Sequence, residues 1–439
     1  PRSVANESAM TKISRRTFGT LAAVSLASLA APSLLHAKGS ARLVIIGGGF
    51  GGASSARFAR IAFPHIDVTV IEPQRSFVTC PYGNLLLAGS KTLSDITHDY
   101  GALKRRGVNF IHDWAEAIEP DKKLVKLRSG KTVSYDKLIV SPGIGIKWGA
   151  LPGYDQEAAK ILPHAWVPER GEQVLLLRKQ LEALPDGGVV GFAIPSNPFR
   201  CPPGPYERIS LVASYLKKHK PRAKILALDA KDAFSKQGLF QDAWNELYPG
   251  LIEWVPGSKD GKVVSVDAKN KIFQTEFGTR HKIDVGNVIP PQSAAKIAVE
   301  AGLTNETGFV PVNPYTFEAI KAKDIHVIGD ANIAGPMPKS GFIANSTSKQ
   351  AVASAIALLE GREPPKDPVY FNTCYSHVGV DYGISVVGVF RPSDKGFVET
   401  PNSGGVSPRG PLADTKAQRR LEARYADSWY ASITKDAFG

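Results

Sequence analysis

Cysteine is almost missing from this 439-residue chain, which has three: Cys80, Cys201 and Cys374. Three thiols cannot all pair, so at least one is bonded elsewhere, reactive or blocked. Methionine is scarcer still, with Met10 and Met337 the only two, and Met10 reads as the true start, the nine residues before it being upstream sequence. No Cys-x-x-Cys-His motif occurs, so the chain attaches no haem of its own. No lysine/arginine run of nucleic-acid type stands out, which argues against a nucleic-acid binder. Internal repeats and long low-complexity tracts are also missing, and no metal-ligand set is assigned.

What the chain does have begins with an export pattern. Ser14-Arg15-Arg16-Thr17-Phe18 carries twin arginines and is followed by an apolar, small-residue run from Leu21 to Leu35 that ends in Leu35-His36-Ala37. This reads as a Tat signal cut after Ala37, and it predicts a periplasmic protein. The run is broken by Pro32 and is short for a bilayer, so no stable membrane insertion is expected. The net charge is +13, and loss of residues 1–37 would leave it near +10. Such a basic surface suits an acidic protein partner or an anionic substrate.

The first folded unit is strongly signalled. Leu43-Val44-Ile45-Ile46 is a buried-strand run, Gly47-Gly48-Gly49-Phe50-Gly51-Gly52 contains G-x-G-x-x-G, and Ala53 to Ala62 has helical composition. The next strand, Asp67 to Glu72, ends in an acid 20 residues after Gly52. The combination predicts a dinucleotide site. Gly47 makes the tight turn, Gly49 admits the pyrophosphate, Gly52 allows close helix packing, and Glu72 holds a ribose hydroxyl. Farther on, Asp324-Ile325-His326-Val327-Ile328 runs into Gly329-Asp330 and a helical stretch from Ser346 to Leu359. Together with Tyr135-Asp136-Lys137-Leu138-Ile139-Val140-Ser141-Pro142-Gly143, this order resembles two-dinucleotide-domain flavoproteins. The resemblance implies FAD, with Asp330 on its ribityl chain.

A second such unit is predicted without its ligand. The strand Gly188 to Ala193 is followed by Ile194-Pro195-Ser196-Asn197-Pro198-Phe199-Arg200-Cys201-Pro202-Pro203-Gly204-Pro205, where a second glycine fingerprint would stand. Proline offers no N–H to a phosphate, so the fold is expected to persist while its nicotinamide site is lost. Cys201 lies in this turn, and Cys374 lies 173 residues later. A bridge between them could be purely structural, worth about 5 kcal/mol in the chain-entropy model. The placement of Cys201, where the nicotinamide domain would face the flavin, favours a redox role.

The whole chain after the signal resembles the flavin-binding subunit of flavocytochrome c sulfide dehydrogenase and, more distantly, sulfide:quinone oxidoreductase. The glycine motif, Thr79-Cys80-Pro81-Tyr82, the Cys201 turn, Gly329-Asp330, the Cys374 segment and Trp429-Tyr430-Ala431-Ser432-Ile433 carry the resemblance. It implies that Cys80 holds FAD covalently as an 8α-S-cysteinyl thioether and that Cys201 and Cys374 form a redox-active disulfide. Hydrosulfide would attack that bridge, and electrons would leave through FAD to a c-type cytochrome subunit. Glu207 is a candidate proton acceptor, although a carboxylate near a helix start is equally explained by the dipole.

The expected fold is α/β: two Rossmann-like domains, the second degenerate, and a smaller C-terminal α+β domain. The expected boundaries are 41–150 with 285–365 for FAD binding, 151–284 for the degenerate domain and 366–439 for the C-terminal interface domain. Residues 391–412 read as an exposed loop. On the helix from Asp414, the stripe Leu421, Tyr425, Trp429 and Ile433 reads as core packing. Two other functions stay open: a sulfide:quinone oxidoreductase, and a non-catalytic flavoprotein used for electron transfer or assembly.

Overall fold

The computed structural model describes residues 40–167 and 170–439. The expected export signal with Arg15 and Arg16 lies outside the described residues. Five parallel strands form the first sheet, in the spatial order Ile325–Val327, Lys137–Val140, Arg42–Ile46, Asp67–Ile71 and Asn109–Ile111. Sequential runs such as Leu43-Val44-Ile45-Ile46 suit a parallel sheet because both of its faces are covered. The helices Phe50–Ala62 and Gly341–Leu359 pack on each other, and Asn345 Nδ2 donates to Ser54 Oγ between them at 2.7 Å. The second of these helices begins five residues before its expected start at Ser346. Ser340 supplies the cap, its Oγ accepting from Ile343 N, so the polar Asn345-Ser346-Thr347-Ser348 run is helical.

Four parallel strands, Ile252–Val255, Lys224–Asp229, Val189–Ile194 and Val285–Val288, build the second sheet. The chain therefore changes sheets after Val288 and not before Val285. The proline-rich turn from Pro195 to Pro203 leads into the helix Gly204–His219. A long antiparallel hairpin, Tyr370–Gly379 with Tyr382–Ser393, follows the two parallel sheets, and the helix Leu412–Phe438 ends the chain. Two short strands, Gly396–Glu399 and Gly405–Val406, lie in the stretch expected to be a loop, because Gly396 (φ +108°) turns the chain back on the hairpin. The expected apolar stripe divides: Ile433 is buried, whereas Leu421 and Tyr425 are 41% and 49% exposed. The buried face runs instead through Ala423, Ala426, Tyr430, Ile433 and Ala437.

Candidate active site

A cavity of about 470 Å³ lies where the two parallel sheets and the C-terminal hairpin meet. Gly47, Gly49, Glu72, Cys80, Cys201, Glu207, Gly329, Asp330 and Cys374 all line it, and Gly52 lies just behind. At Gly47 (φ +97°) a Cβ would stand 2.3 Å from Ser141 O, and at Gly52 one would stand 1.8 Å from Gly47 O. Only glycine lets the loop turn this tightly and the helix Phe50–Ala62 start against it. Glu72 sits just past its strand, one oxygen accepting from Gly48 N at 2.8 Å and the other from Gln74 N at 2.9 Å. Burial raises the proton affinity of its carboxyl, and these two amides oppose the rise.

Deeper in the cavity, Asp330 Oδ1 is buried without a hydrogen-bond partner, as are Nε and Nη2 of Arg200. Burial raises the Asp330 carboxyl above its usual range against the pull of Arg200 and Lys339. Lys339 donates to Asp330 O at 2.9 Å and Asn332 O at 2.7 Å, and burial brings its ammonium down to about 8. An unpaired buried carboxylate oxygen and guanidinium facing one cavity call for a polar ligand between them. With the glycine cradle and Glu72, these groups fit a dinucleotide.

The same cavity also holds the cysteines. Cys201 is left-handed (φ +58°), a conformation rare for a residue with a Cβ, held by its N–H on Lys339 O at 2.8 Å and its carbonyl on Gly204 N at 2.8 Å. A Cβ on Gly204 would stand 2.9 Å from Cys201 Sγ, so this glycine makes room for the sulfur. Both thiols, Cys201 and Cys374, are pushed up by burial, Cys201 more strongly because Cys80, Cys374 and Glu207 add negative charge around it. Both line the cavity and keep some exposed surface. All three cysteines are unbonded thiols in the structure.

Glu207 is doubly tied: Oε2 accepts from Asn84 Nδ2 at 2.8 Å and Oε1 from His377 N at 2.8 Å. It thereby links the helices Gly204–His219 and Gly83–Ala88 to the hairpin, while still facing the cavity. Sequence reasoning missed three residues here. Arg208, on the same helix as Glu207, spends its guanidinium on Asn84 Oδ1, Asn287 Oδ1 and the carbonyls of His164 and Ala165. Lys236 is buried, with Nζ donating to Cys374 O and Ser376 Oγ, each at 2.8 Å, and burial brings it down to about 8. Asn372 Nδ2 donates to Cys374 Sγ at 3.2 Å. A lone Lys or Asn carries no motif, although Asn372 lies only two residues from a singled-out cysteine.

Three family models match the chain. Residues 41–170 match pyridine nucleotide-disulphide oxidoreductase, 174–290 the central part of the sulfide dehydrogenase (flavocytochrome c) flavoprotein chain, and 366–438 the flavin-binding part of flavocytochrome c sulphide dehydrogenase. The sulfide-quinone reductase of Aquifex aeolicus is 31% identical over 368 residues, 78% of this chain and 82% of that one. The chain belongs to the sulfide-oxidising flavoprotein family. Within this family, the sulfide dehydrogenase flavoprotein chain of Chlorobaculum thiosulfatiphilum is 54% identical over 46 residues, 10% of this chain and 96% of that sequence. The solved sulfide:quinone oxidoreductase of Aquifex aeolicus shares the fold with a TM-score of 0.69 at 20% identity, covering 91% of this chain and 92% of that one. Membership makes the protein an oxidoreductase, and FAD is the dinucleotide that the family's flavin-binding part supports.

Proposed function

We propose that the chain oxidises sulfide through Cys201 and Cys374, holds FAD covalently on Cys80, and passes electrons to a c-type cytochrome subunit in the periplasm. The observation that carries this reading is that one cavity collects all three cysteines together with Glu72 and Asp330. Gly47, Gly49, Glu72, Gly329 and Asp330 would hold the dinucleotide, and Arg200 would complete its pairing on it. Bound FAD supplies a centre that takes electrons in pairs and releases them singly, which suits a one-electron acceptor.

The chain's own residues do the rest. In the oxidised form Cys201 and Cys374 are bridged. Hydrosulfide attacks one sulfur of the bridge, a new S–S bond forms as the Cys–Cys bond breaks, and the departing cysteine leaves as a thiolate. The substrate sulfur stays as a cysteine persulfide, and its proton passes to Glu207. The freed thiolate and the persulfide then re-form the Cys201–Cys374 bridge and release the substrate sulfur, which needs the two-electron oxidant that bound FAD would supply. Lys236 and Asn372 both stabilise negative charge at Cys374.

Acid denaturation tests the covalent link: yellow flavin should stay with the wild-type polypeptide and separate from Cys80→Ala. Sulfide-dependent reduction of cytochrome c should vanish in Cys201→Ser and in Cys374→Ser; turnover surviving in both would favour the non-catalytic flavoprotein. A quinone acceptor is the second reading, supported by the similarity to the Aquifex aeolicus reductase. Reduction of a soluble quinone but not of cytochrome c by the purified protein would establish it. Among the described residues no helix is long and apolar enough to cross a membrane.

A further inference from the structure

A second cavity, of about 420 Å³, opens behind the cysteine end of the first. It lies between the helices Gly83–Ala88, Glu172–Ala183 and Gly204–His219 and the end of the strand Tyr370–Gly379. Lys91, Arg178, Lys218 and His219 border it, and Asp427 is the one carboxylate on its wall. Arg178 is paired with Glu182 at 2.7 Å, and Lys91 and Lys218 outweigh the single negative charge of Asp427, so the lining is net positive. His377 borders both cavities.

His377 is 5% exposed, and neither ring nitrogen has a hydrogen-bond partner. Its nearest carboxylate oxygen, Asp427 Oδ1, stands 4.0 Å from Nε2, and the Tyr82 ring lies edge-on at 5.9 Å. Leaving such a polar group unsatisfied is unfavourable, a cost that a ligand reaching the ring would relieve. His377 lines the first cavity together with Cys374 and Cys201, and its backbone N–H is fixed on Glu207. A basic cavity thus ends on an unpartnered imidazole at the edge of the cysteine corner, reached without crossing the glycine loop.

We propose that this cavity is the entry for the hydrosulfide anion and that His377 passes it to Cys201 and Cys374. The proposal rests on the sulfide-oxidising reading. The cations concentrate a small anion at the mouth, as charged clefts with low-dielectric walls do. The imidazole then donates a hydrogen bond to the anion where it leaves water.

The test uses the full-length flavoprotein and the double variant Lys91→Glu/Lys218→Glu, with Lys269→Glu, on an exposed hairpin turn, as the control. The double variant should raise KM for sulfide roughly tenfold at low salt, with kcat held and much of the salt dependence gone. His377→Leu, which keeps bulk without the nitrogens, should lower kcat/KM. A readout without turnover is the alkylation of the reduced protein at Cys201 and Cys374 by iodoacetate against neutral iodoacetamide. The iodoacetate preference should fall several-fold in the double variant and stay unchanged in Lys269→Glu. Unchanged KM and unchanged preference in the double variant would overturn the proposal, and would mean that sulfide enters elsewhere or as neutral H₂S. Wild-type protein that fails to oxidise sulfide would strike the functional reading instead, and the alkylation ratio separates the two failures.

Discussion

Cys374 is held by a directed chain of hydrogen bonds. Ile343 N–H donates to Ser340 Oγ, so the Ser340 hydroxyl proton is free to donate to Asn372 Oδ1 at 2.7 Å. That fixes the amide and turns its NH₂ toward Cys374 Sγ. A donor to the sulfur favours the thiolate, so Asn372→Ala should raise the titration of Cys374. The alkylation profile of that thiol should move up by about half to one pH unit, the equivalent of a hydrogen bond worth about 1 kcal/mol. Lys236→Met should move it the same way, because Lys236 opposes the burial that raises this thiol. A profile that stays in place in both variants would sink this assignment. The three cysteines could be picked out along the chain because they are rare, and Cys201 also because it sits in the proline-rich turn. Lys236 could not, since it lies 138 residues from Cys374 and meets it only through tertiary packing.

At the scale of single elements, the helix Gly204–His219 is the one on which the site depends most. It presents Glu207 and Arg208 from one turn, and its first residue must be glycine to clear Cys201 Sγ. In Gly204→Ala the new Cβ would also stand 2.8 Å from Trp166, so overpacking should cost about 1–3 kcal/mol and displace the sulfur. The expected result is folded, flavin-containing protein with sharply reduced sulfide oxidation; full activity would show that the corner is looser than drawn. The prolines before this helix were legible as a turn without a second glycine fingerprint. The left-handed turn at Cys201 was not, because backbone held by Lys339 O, 138 residues away, leaves no local trace. The early start of the helix Gly341–Leu359 escaped for a related reason: Asn345-Ser346-Thr347-Ser348 has loop composition, and burial against Phe50–Ala62 overrides it.

Across the whole molecule, both parallel sheets were foreshadowed by short apolar runs ahead of the glycine motif, the proline turn and Gly329-Asp330. The edge of the second sheet at Val285–Val288 was not, since it pairs with Val189–Ile194, far back along the chain; nor was the C-terminal hairpin, although it pairs locally around the turn between Gly379 and Tyr382. Each half of the molecule also buries a neutral histidine. His164 Nδ1 accepts the Trp166 N–H at 3.0 Å, a bond that requires an unprotonated nitrogen, and burial pushes its titration down to about 3. His326, within the strand Ile325–Val327, donates from Nδ1 to Thr316 O at 2.8 Å and is pushed down to about 4 by burial. Unfolded, both would titrate near 6.5, so between that pH and about 4 the unfolded chain binds more protons than the native one. Stability contributed by these groups is therefore complete above pH 6.5 and is lost as the pH falls, by about 2–3 kcal/mol per histidine near pH 4. Thermal midpoints should be level from neutral pH down to about 6.5 and then drop steadily. His326→Asn keeps a donor for Thr316 without a titrating ring, so it should remove part of that slope while costing stability at neutral pH. A midpoint that falls equally steeply in the variant would assign the acid sensitivity to other groups.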